Sequence, residues 1–338
     1  MMEPGSEADS SRGGKVAILG AGSLGTALAA GLWKAGRRFA LWTIEDDVAE
    51  SLRAYRENVK YLPGIKVPRE VEVTTALEEA LNGAAAVVIA VPSHVVRTVA
   101  RRAAPGVPPD AILVSTAKGL EQGTLLRMSQ VIAEEMPDPL KGRIVAVSGP
   151  SLAPELGQGI PTGVDAACED VELARHVRGA LTTRRFRFKI RRDVAGVEAG
   201  GTFKNLYAIG AGVCDGLGLG SNTKAALLTK ALGEMIVCSR ALGGKASTLY
   251  GLSGIGDLLV TATSTHSRNR TLGEHLGKGH RVAEVTRGMV SVTEGVDAAQ
   301  CAHELAVQRK LRLPVAETIH KILNGTDKPD AIVKAALP

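Results

Sequence analysis

The run Gly20-Ala-Gly22-Ser-Leu-Gly25 has the residue types and spacing to hold a pyrophosphate, because it lies between an aliphatic stretch at 16–19 and an amphipathic one at 24–34. In a strand–turn–helix of this kind Gly20 permits the tight turn and Gly22 lets the backbone approach the anion. Gly25 lets the helix pack on the strand while its first amides face the phosphates. A second aliphatic run ends at Trp42, and Glu45 follows where a carboxylate accepts from the adenosine ribose 2′-hydroxyl. Thr43, Ile44 and Glu45 offer no cation for a 2′-phosphate, so the expected cofactor is NAD in preference to NADP. The plainer alternative makes Glu45 a solvated loop carboxylate.

A nicotinamide cofactor implies hydride transfer, and a ketone that takes a hydride becomes an alkoxide in need of a proton. Lys204, in the segment Glu198-Ala-Gly-Gly-Thr-Phe-Lys204-Asn205, is the expected proton donor. At helical spacing Gly200, Gly201, Ala208 and Ala211 fall near its face, making room for a ligand and desolvating the ammonium, which lowers its proton affinity. Asn205 orients the lysine or the substrate. The alternative is a lysine reaching solvent at a helix edge. Two loops offer further groups, Lys118 before Gly119 and the run Ser148-Gly149-Pro150-Ser151, although either is equally readable as a simple turn. In the C-terminal half Asp257 ends a glycine-rich stretch and is suited to hold Lys204 or to accept from a substrate hydroxyl. Ser267, Arg268 and Asn269 open a helix with donors matched to a phosphate, Arg268 donating bidentately; a capped helix with a solvated arginine is the alternative.

The elements that must position these groups follow from periodicity. Strands are expected at 16–19, 39–42, 71–74, 86–91, 112–115, 144–148, 163–167 and 186–190, with helices such as 24–34, 47–57 and 124–135 between them. That alternation indicates a parallel sheet covered on both faces. Basic and aromatic residues interleave at 184–192, as in some nucleic-acid binders, but strict alternation favours a charged edge strand with Phe186, Phe188 and Ile190 turned inward. After Arg192 only helices are expected, at 194–214, 223–242, 270–276, 294–308 and 315–323. The fold class is therefore α/β, a doubly wound Rossmann-type N-terminal domain followed by an all-helical C-terminal domain. The expected divisions are a disordered tail over 1–13, a dinucleotide-binding domain over 14–192 and a helical substrate domain over 193–338.

A chain of 338 residues with 45% hydrophobic residues is large enough for two cores. No stretch approaches the apolar length of a membrane span, and the first residues lack the apolar run of a signal peptide, so a cytoplasmic protein is expected. Cys168, Cys214, Cys238 and Cys301 form no Cys-x-x-Cys pair, and the seven histidines show no ligand spacing, so no metal is expected. A net charge of +6 suits a small anionic ligand and gives no reason to expect a nucleic-acid partner.

Taken in order, residues 20–26, Ala117-Lys118-Gly119, Ser148–Ser151, the segment ending in Lys204-Asn205, the block Asp215-Gly-Leu-Gly-Leu-Gly220-Ser-Asn222-Thr-Lys224, and 251–257 with 267–269 resemble the soluble bacterial glycerol-3-phosphate dehydrogenases. The resemblance spans about residues 15–325 and implies reduction of dihydroxyacetone phosphate to sn-glycerol 3-phosphate by NAD(P)H, supplying glycerophospholipid synthesis, in a cytoplasmic protein that is often a homodimer. It implies Lys204 as proton donor and substrate contacts at Lys118, Gly149, Ser151, Asp257, Ser267, Arg268 and Asn269. Cofactor contacts are implied at Ser23, Leu24, Lys118, Ala153, Arg268, Val292 and Glu294. Leu24 replaces an aromatic residue common in the family, and Ile44 and Glu45 replace the usual His or Arg after the second strand. Two other readings remain open on residues alone: a related two-domain dehydrogenase acting on another keto or hydroxy acid, and a catalytically silent dinucleotide-binding protein.

Overall fold

The computed structural model describes residues 14–287 and 294–337; the expected tail over 1–13 and the expected cofactor contact Val292 lie outside them. Among the described residues there are ten strands: β1 (Lys15–Leu19), β2 (Phe39–Trp42), β3 (Glu57–Asn58), β4 (Leu62–Lys66), β5 (Glu72–Thr74), β6 (Ala84–Ile89), β7 (Ile112–Ser115), β8 (Ile144–Ser148), β9 (Thr162–Ala167) and β10 (Phe186–Arg191). Eight form one sheet in the order β10-β9-β8-β7-β6-β1-β2-β5, while β3 and β4 make a separate antiparallel pair. β1 is central and parallel to both β2 and β6. The chain steps outward from β1 on one side and then returns to its other side, so a crevice opens above β1 and β6, where open α/β sheets bind ligands.

Both faces of this sheet are buried, which is why its strands are continuously aliphatic. Val16 and Ile18 enter one core with Leu28, Leu52 and Leu156, whereas Ala17 and Leu19 enter the opposite core with Val99 and Ile132. The first core is closed by α1 (Ser23–Leu32), α2 (Asp46–Tyr55), and later α7 (Ala153–Gly157) and α8 (Val171–Leu181). The second is closed by α3 (Leu77–Leu81), α4 (Val96–Ala103) and α5 (Met128–Glu135), with α6 (Asp138–Lys141) beyond. β10 is the charged edge strand that alternation predicts, with Phe186 and Phe188 buried and Arg187 and Lys189 exposed.

Three expectations need correction. The sheet is mixed, since β9 runs antiparallel to β8 with Ser148 opposite Asp165. Of the connecting residues 149–161, Ser151 to Pro154 line a cleft and Leu156 packs into the first core, and the chain re-enters the sheet from the C-terminal end of β8. The helix expected over 124–135 begins only at Met128: Leu125 takes a φ of 56°, and Leu120 and Leu125 are drawn into the core of the helical half. The helix expected over 47–57 ends at Tyr55, because Arg56 adopts a left-handed φ of 54° and Glu57 begins the hairpin of β3 and β4.

Beyond Arg191 the described chain is helical: α9 (Val194–Gly216), α10 (Gly220–Ala241), α11 (Ala246–Leu249), α12 (Asp257–Thr263), α13 (Arg268–Gly277), α14 (Val282–Thr286), α15 (Glu294–Arg309), α16 (Pro314–Leu323) and α17 (Ala331–Ala336). The short helices α11, α12, α14 and α17 are additions to the expected set. α9 passes through the middle, and every residue from Gly196 to Cys214 is buried. Its glycines allow backbone contact, since a Cβ on Gly212 would stand 2.0 Å from the Arg270 carbonyl of α13. Buried carboxylates set its register. Glu198 accepts from Ser129 N and Oγ, each at 2.7 Å, and from Arg127 at 2.5 Å, tying α9 to α5. Glu234 accepts from the Val315 and Ala316 amides at 2.7 and 2.9 Å, satisfying the N-terminus of α16, and from the Tyr207 hydroxyl. Among the described residues no helix is long and apolar enough to cross a membrane.

Candidate active site

The glycine loop faces a cleft of ≈ 390 Å³ lined by Gly20, Gly22, Trp42, Glu45, Val91 and Arg268, among others. Gly22 caps α1 without any side-chain hydrogen bond, so the first amides of that helix remain available to an anion. A Cβ on Gly22 would meet nothing within 4 Å, whereas one on Gly25 would stand 1.8 Å from the Gly20 carbonyl. Gly22 therefore leaves room for a ligand, and Gly25 permits the close packing that holds the turn. The free amides, the open approach and the carboxylate beyond β2 fit a dinucleotide. Gly25→Ala is expected to cost about 1–3 kcal/mol through overpacking and to weaken NADH binding. A thermal melt paired with calorimetry checks this, and wild-type values in both would contradict it.

A second cleft of ≈ 360 Å³ shares Ser23, Leu24, Tyr61, Thr116, Arg268 and Glu294 with the first, so the two form one trough. Lys118, Ser151, Ala153, Lys204, Asn205, Ser267 and Asn269 line this second part. Beneath it Asp257 is 1% exposed and bridges two lysines. Lys204 Nζ donates to Asp257 Oδ1 at 2.9 Å and to Thr261 Oγ1 at 2.7 Å, and Lys118 Nζ donates to Asp257 Oδ2 at 2.6 Å and to the Gly149 carbonyl at 3.1 Å. Burial pushes the Lys204 ammonium down to about 8; Asp257 opposes that shift and Lys118 adds to it. Burial also raises the Glu294 carboxyl, against the pull of Lys204, Lys118 and Arg268.

The supports of these groups come from both halves of the chain. Asp257 follows a π-turn, Leu252–Gly256, that is anchored by the fully buried Asp165 of β9. Asp165 accepts from Ser253 N and Oγ at 3.0 and 2.9 Å, and Arg191 of β10 donates to its other oxygen at 3.0 Å. Asn205 is locked from both sides: it donates to Glu294 Oε2 at 3.0 Å and accepts from Asn269 at 3.0 Å, while Gly295 N donates to Asn269. Ser267 caps α13 by accepting from Arg270 N at 3.2 Å, placing Arg268 and Asn269 in the first helical turn. Arg270 pairs with Asp215 at 2.7 Å, which also takes Lys224, so the block around Asp215 braces this turn.

Of the residues singled out from sequence, Lys118, Ser151, Lys204, Asn205, Ser267, Arg268, Asn269, Ser23, Leu24, Ala153 and Glu294 share the second part of the trough. Gly20, Gly22 and Glu45 line the first part, and Gly25 sits behind the turn. Asp257 and Gly149 stand behind the lysines as acceptors. Tyr61, Thr116, Thr261 and His266 were not anticipated. Thr261 follows Asp257 by one helical turn, a spacing that could have pointed to it; Tyr61 comes from the unexpected hairpin. Among the described residues no group of His, Cys, Asp and Glu is arranged to hold a metal ion.

Comparison with known proteins bears on this geometry. Residues 15–174 match the family model for the NAD-dependent glycerol-3-phosphate dehydrogenase N-terminus, and residues 193–334 match that for the C-terminus. A glycerol-3-phosphate dehydrogenase (NAD(P)+) of Pelotomaculum thermopropionicum is 46% identical over 310 residues, covering 92% of this chain and 89% of its own. One from Clostridium perfringens is 42% identical over 309 residues, with 91% and 92% covered. The crystal structure of glycerol-3-phosphate dehydrogenase from Coxiella burnetii superposes with a TM-score of 0.89 at 35% identity, covering 95% of this chain and 98% of that one.

Proposed function

The chain belongs to the NAD-dependent glycerol-3-phosphate dehydrogenase family, and from that premise we propose that it reduces dihydroxyacetone phosphate reversibly to sn-glycerol 3-phosphate with Lys204 as proton donor. The observation that carries this reading is the pair of lysines on one buried carboxylate, opening into a cleft continuous with the glycine loop. The loop, the α1 N-terminus and Glu45 would hold NAD(P)H, which supplies the hydride when bound. Residues 14–192 thus carry the cofactor, and residues 193–338 supply the proton donor and the phosphate-binding turn. Arg268 and Asn269, in the first turn of the ten-residue helix α13, bind the phosphate with the help of the helix terminus. Lys118 adds positive charge beside the ketone. The Lys204 ammonium gives its proton to the C2 oxygen as charge develops there, and in the reverse direction the neutral amine removes the proton from the C2 hydroxyl. Asp257 keeps both ammonium groups in place, and Asn205 fixes the adjoining wall.

Initial rates with dihydroxyacetone phosphate, run in parallel with NADH and NADPH across a pH series, test the substrate and the mechanism together. Reduction needs Lys204 protonated, so its kcat/KM should fall above about pH 8, whereas oxidation of glycerol 3-phosphate needs the neutral amine and should rise through the same range. Parallel pH profiles in the two directions would contradict Lys204 as the acid. Oxidation of neither cofactor with this substrate, while another keto acid is reduced, would overturn the substrate assignment. The same reading makes the protein a cytoplasmic homodimer that supplies glycerophospholipid synthesis; light scattering of the purified protein checks the dimer.

A further inference from the structure

Lys60, which no motif brought forward, stands at the adenosine end of the trough. It lies in the turn between β3 and β4, and its ammonium donates to Glu45 Oε2 at 2.5 Å and to Asp47 Oδ2 at 3.0 Å. The neighbouring Tyr61 hydroxyl donates to Glu45, 3.0 Å from either carboxylate oxygen. Glu45 and Tyr61 both line the glycine-loop cleft, and the Lys60 and Glu45 side chains are 37% and 34% exposed, so Lys60 meets that cleft through Glu45 while staying open to solvent. The two carboxylates raise the Lys60 pKa and keep the group cationic. A carboxylate just beyond the second strand of this fold accepts from a ribose 2′-hydroxyl but repels a 2′-phosphate. Here that carboxylate is already covered by an ammonium carried on a separate segment. A lysine has three donors on a flexible four-carbon stem, so it can leave one carboxylate oxygen for a phosphate oxygen without any movement of the backbone. Of the cations that line this cleft, Arg102 is held over the Trp42 ring at 5.7 Å, and Arg268 lies in the part shared with the substrate cleft.

We infer that Lys60 is the specificity residue that admits a 2′-phosphate, so that one cleft takes NADH through Glu45 and NADPH through Lys60. The inference rests on the dinucleotide reading of the glycine loop. It also revises the preference for NAD that the run Thr43-Ile44-Glu45 suggested, because the missing cation arrives from the hairpin.

Calorimetric titration with 5′-AMP and with 2′,5′-ADP separates the two binding modes without relying on turnover. Lys60→Gln is expected to weaken 2′,5′-ADP about tenfold, the loss of one charge-assisted contact, and to leave 5′-AMP within about twofold. Lys60→Arg should restore the difference, and Glu45→Gln should strengthen 2′,5′-ADP while weakening 5′-AMP. In steady-state assays the NADPH-to-NADH ratio of kcat/KM should fall in Lys60→Gln by the same factor, carried by KM. Equal loss of both nucleotides would make Lys60 only a pin of the hairpin, and unchanged binding of both would leave it without a role at the 2′ position; either result overturns the assignment while the dinucleotide site stands. Wild-type protein that binds neither nucleotide would instead remove the dinucleotide reading and this inference together.

Discussion

Lys204→Met is expected to lower kcat for reduction of dihydroxyacetone phosphate about a thousandfold or more, because it removes both the proton donor and the charge facing the developing alkoxide. The methionine stem fills most of the buried slot, and Asp257 keeps its contact with Lys118 at 2.6 Å, so the fold should persist. Lys118 is not expected to take over as donor, since its ammonium stays engaged with Asp257 and the Gly149 carbonyl. NADH affinity should stay within about twofold, because Lys204 lines only the substrate part of the trough and the adenosine and pyrophosphate contacts lie elsewhere. The loss should fall mainly on kcat, as expected for an interaction that strengthens in the transition state. Initial rates with a parallel calorimetric titration of NADH decide the matter. Near wild-type turnover in a folded Lys204→Met protein would sink the proton-donor role.

The groups in that experiment differ in how openly the sequence announces them. Gly20, Gly22 and Gly25 were legible because their chemistry is local: one strand, one turn and one helix contain the whole device. Lys204 was legible because small residues recur around it at helical spacing. Its contact with Asp257 was one of two roles the sequence offered that carboxylate, but the sharing of Asp257 with Lys118 was hidden, for those two are 139 residues apart and no periodicity connects them. The same holds for Asp165, whose pattern marks only a strand residue, although its carboxylate anchors the turn that delivers Asp257. Strand direction was also hidden. An aliphatic run reads the same either way along a sheet, and the antiparallel entry of β9 depends on where residues 149–161 pack. The hairpin of β3 and β4 escaped because β3 has only two residues and Pro63-Gly64 interrupts the aliphatic pattern of β4. Its absence from the expected elements hid Tyr61, which lines the cleft, and with it Lys60, the cation to which we assign cofactor choice.

Asp257→Asn should do nearly as much damage as the loss of Lys204 while leaving both lysines in place. The native carboxylate is 1% exposed and each oxygen takes one ammonium. An amide offers one acceptor and turns two donors toward a cation, so at least one ammonium loses its partner and the two lysines repel each other across the gap. Removing one member of a buried pair typically costs about 3–5 kcal/mol, and the partial exposure of Lys118 places the expected loss at the lower end. The functional consequence follows from the Lys204 ammonium. Burial already holds it down at about 8 and Asp257 is the principal group pulling it up, so the substitution drives it lower. Reduction requires the protonated form, and the alkaline fall in its rate should therefore move to lower pH, with activity at pH 8 reduced about a hundredfold and partly recovered near pH 6. Oxidation of glycerol 3-phosphate, which uses the neutral amine, should lose less at neutral pH. This outcome separates the two roles open to Asp257 from its chemistry. A residue that accepts from a substrate hydroxyl would raise KM and leave the pH profile where it was; a residue that holds Lys204 must move the profile, and an unmoved profile would assign Asp257 to the substrate instead.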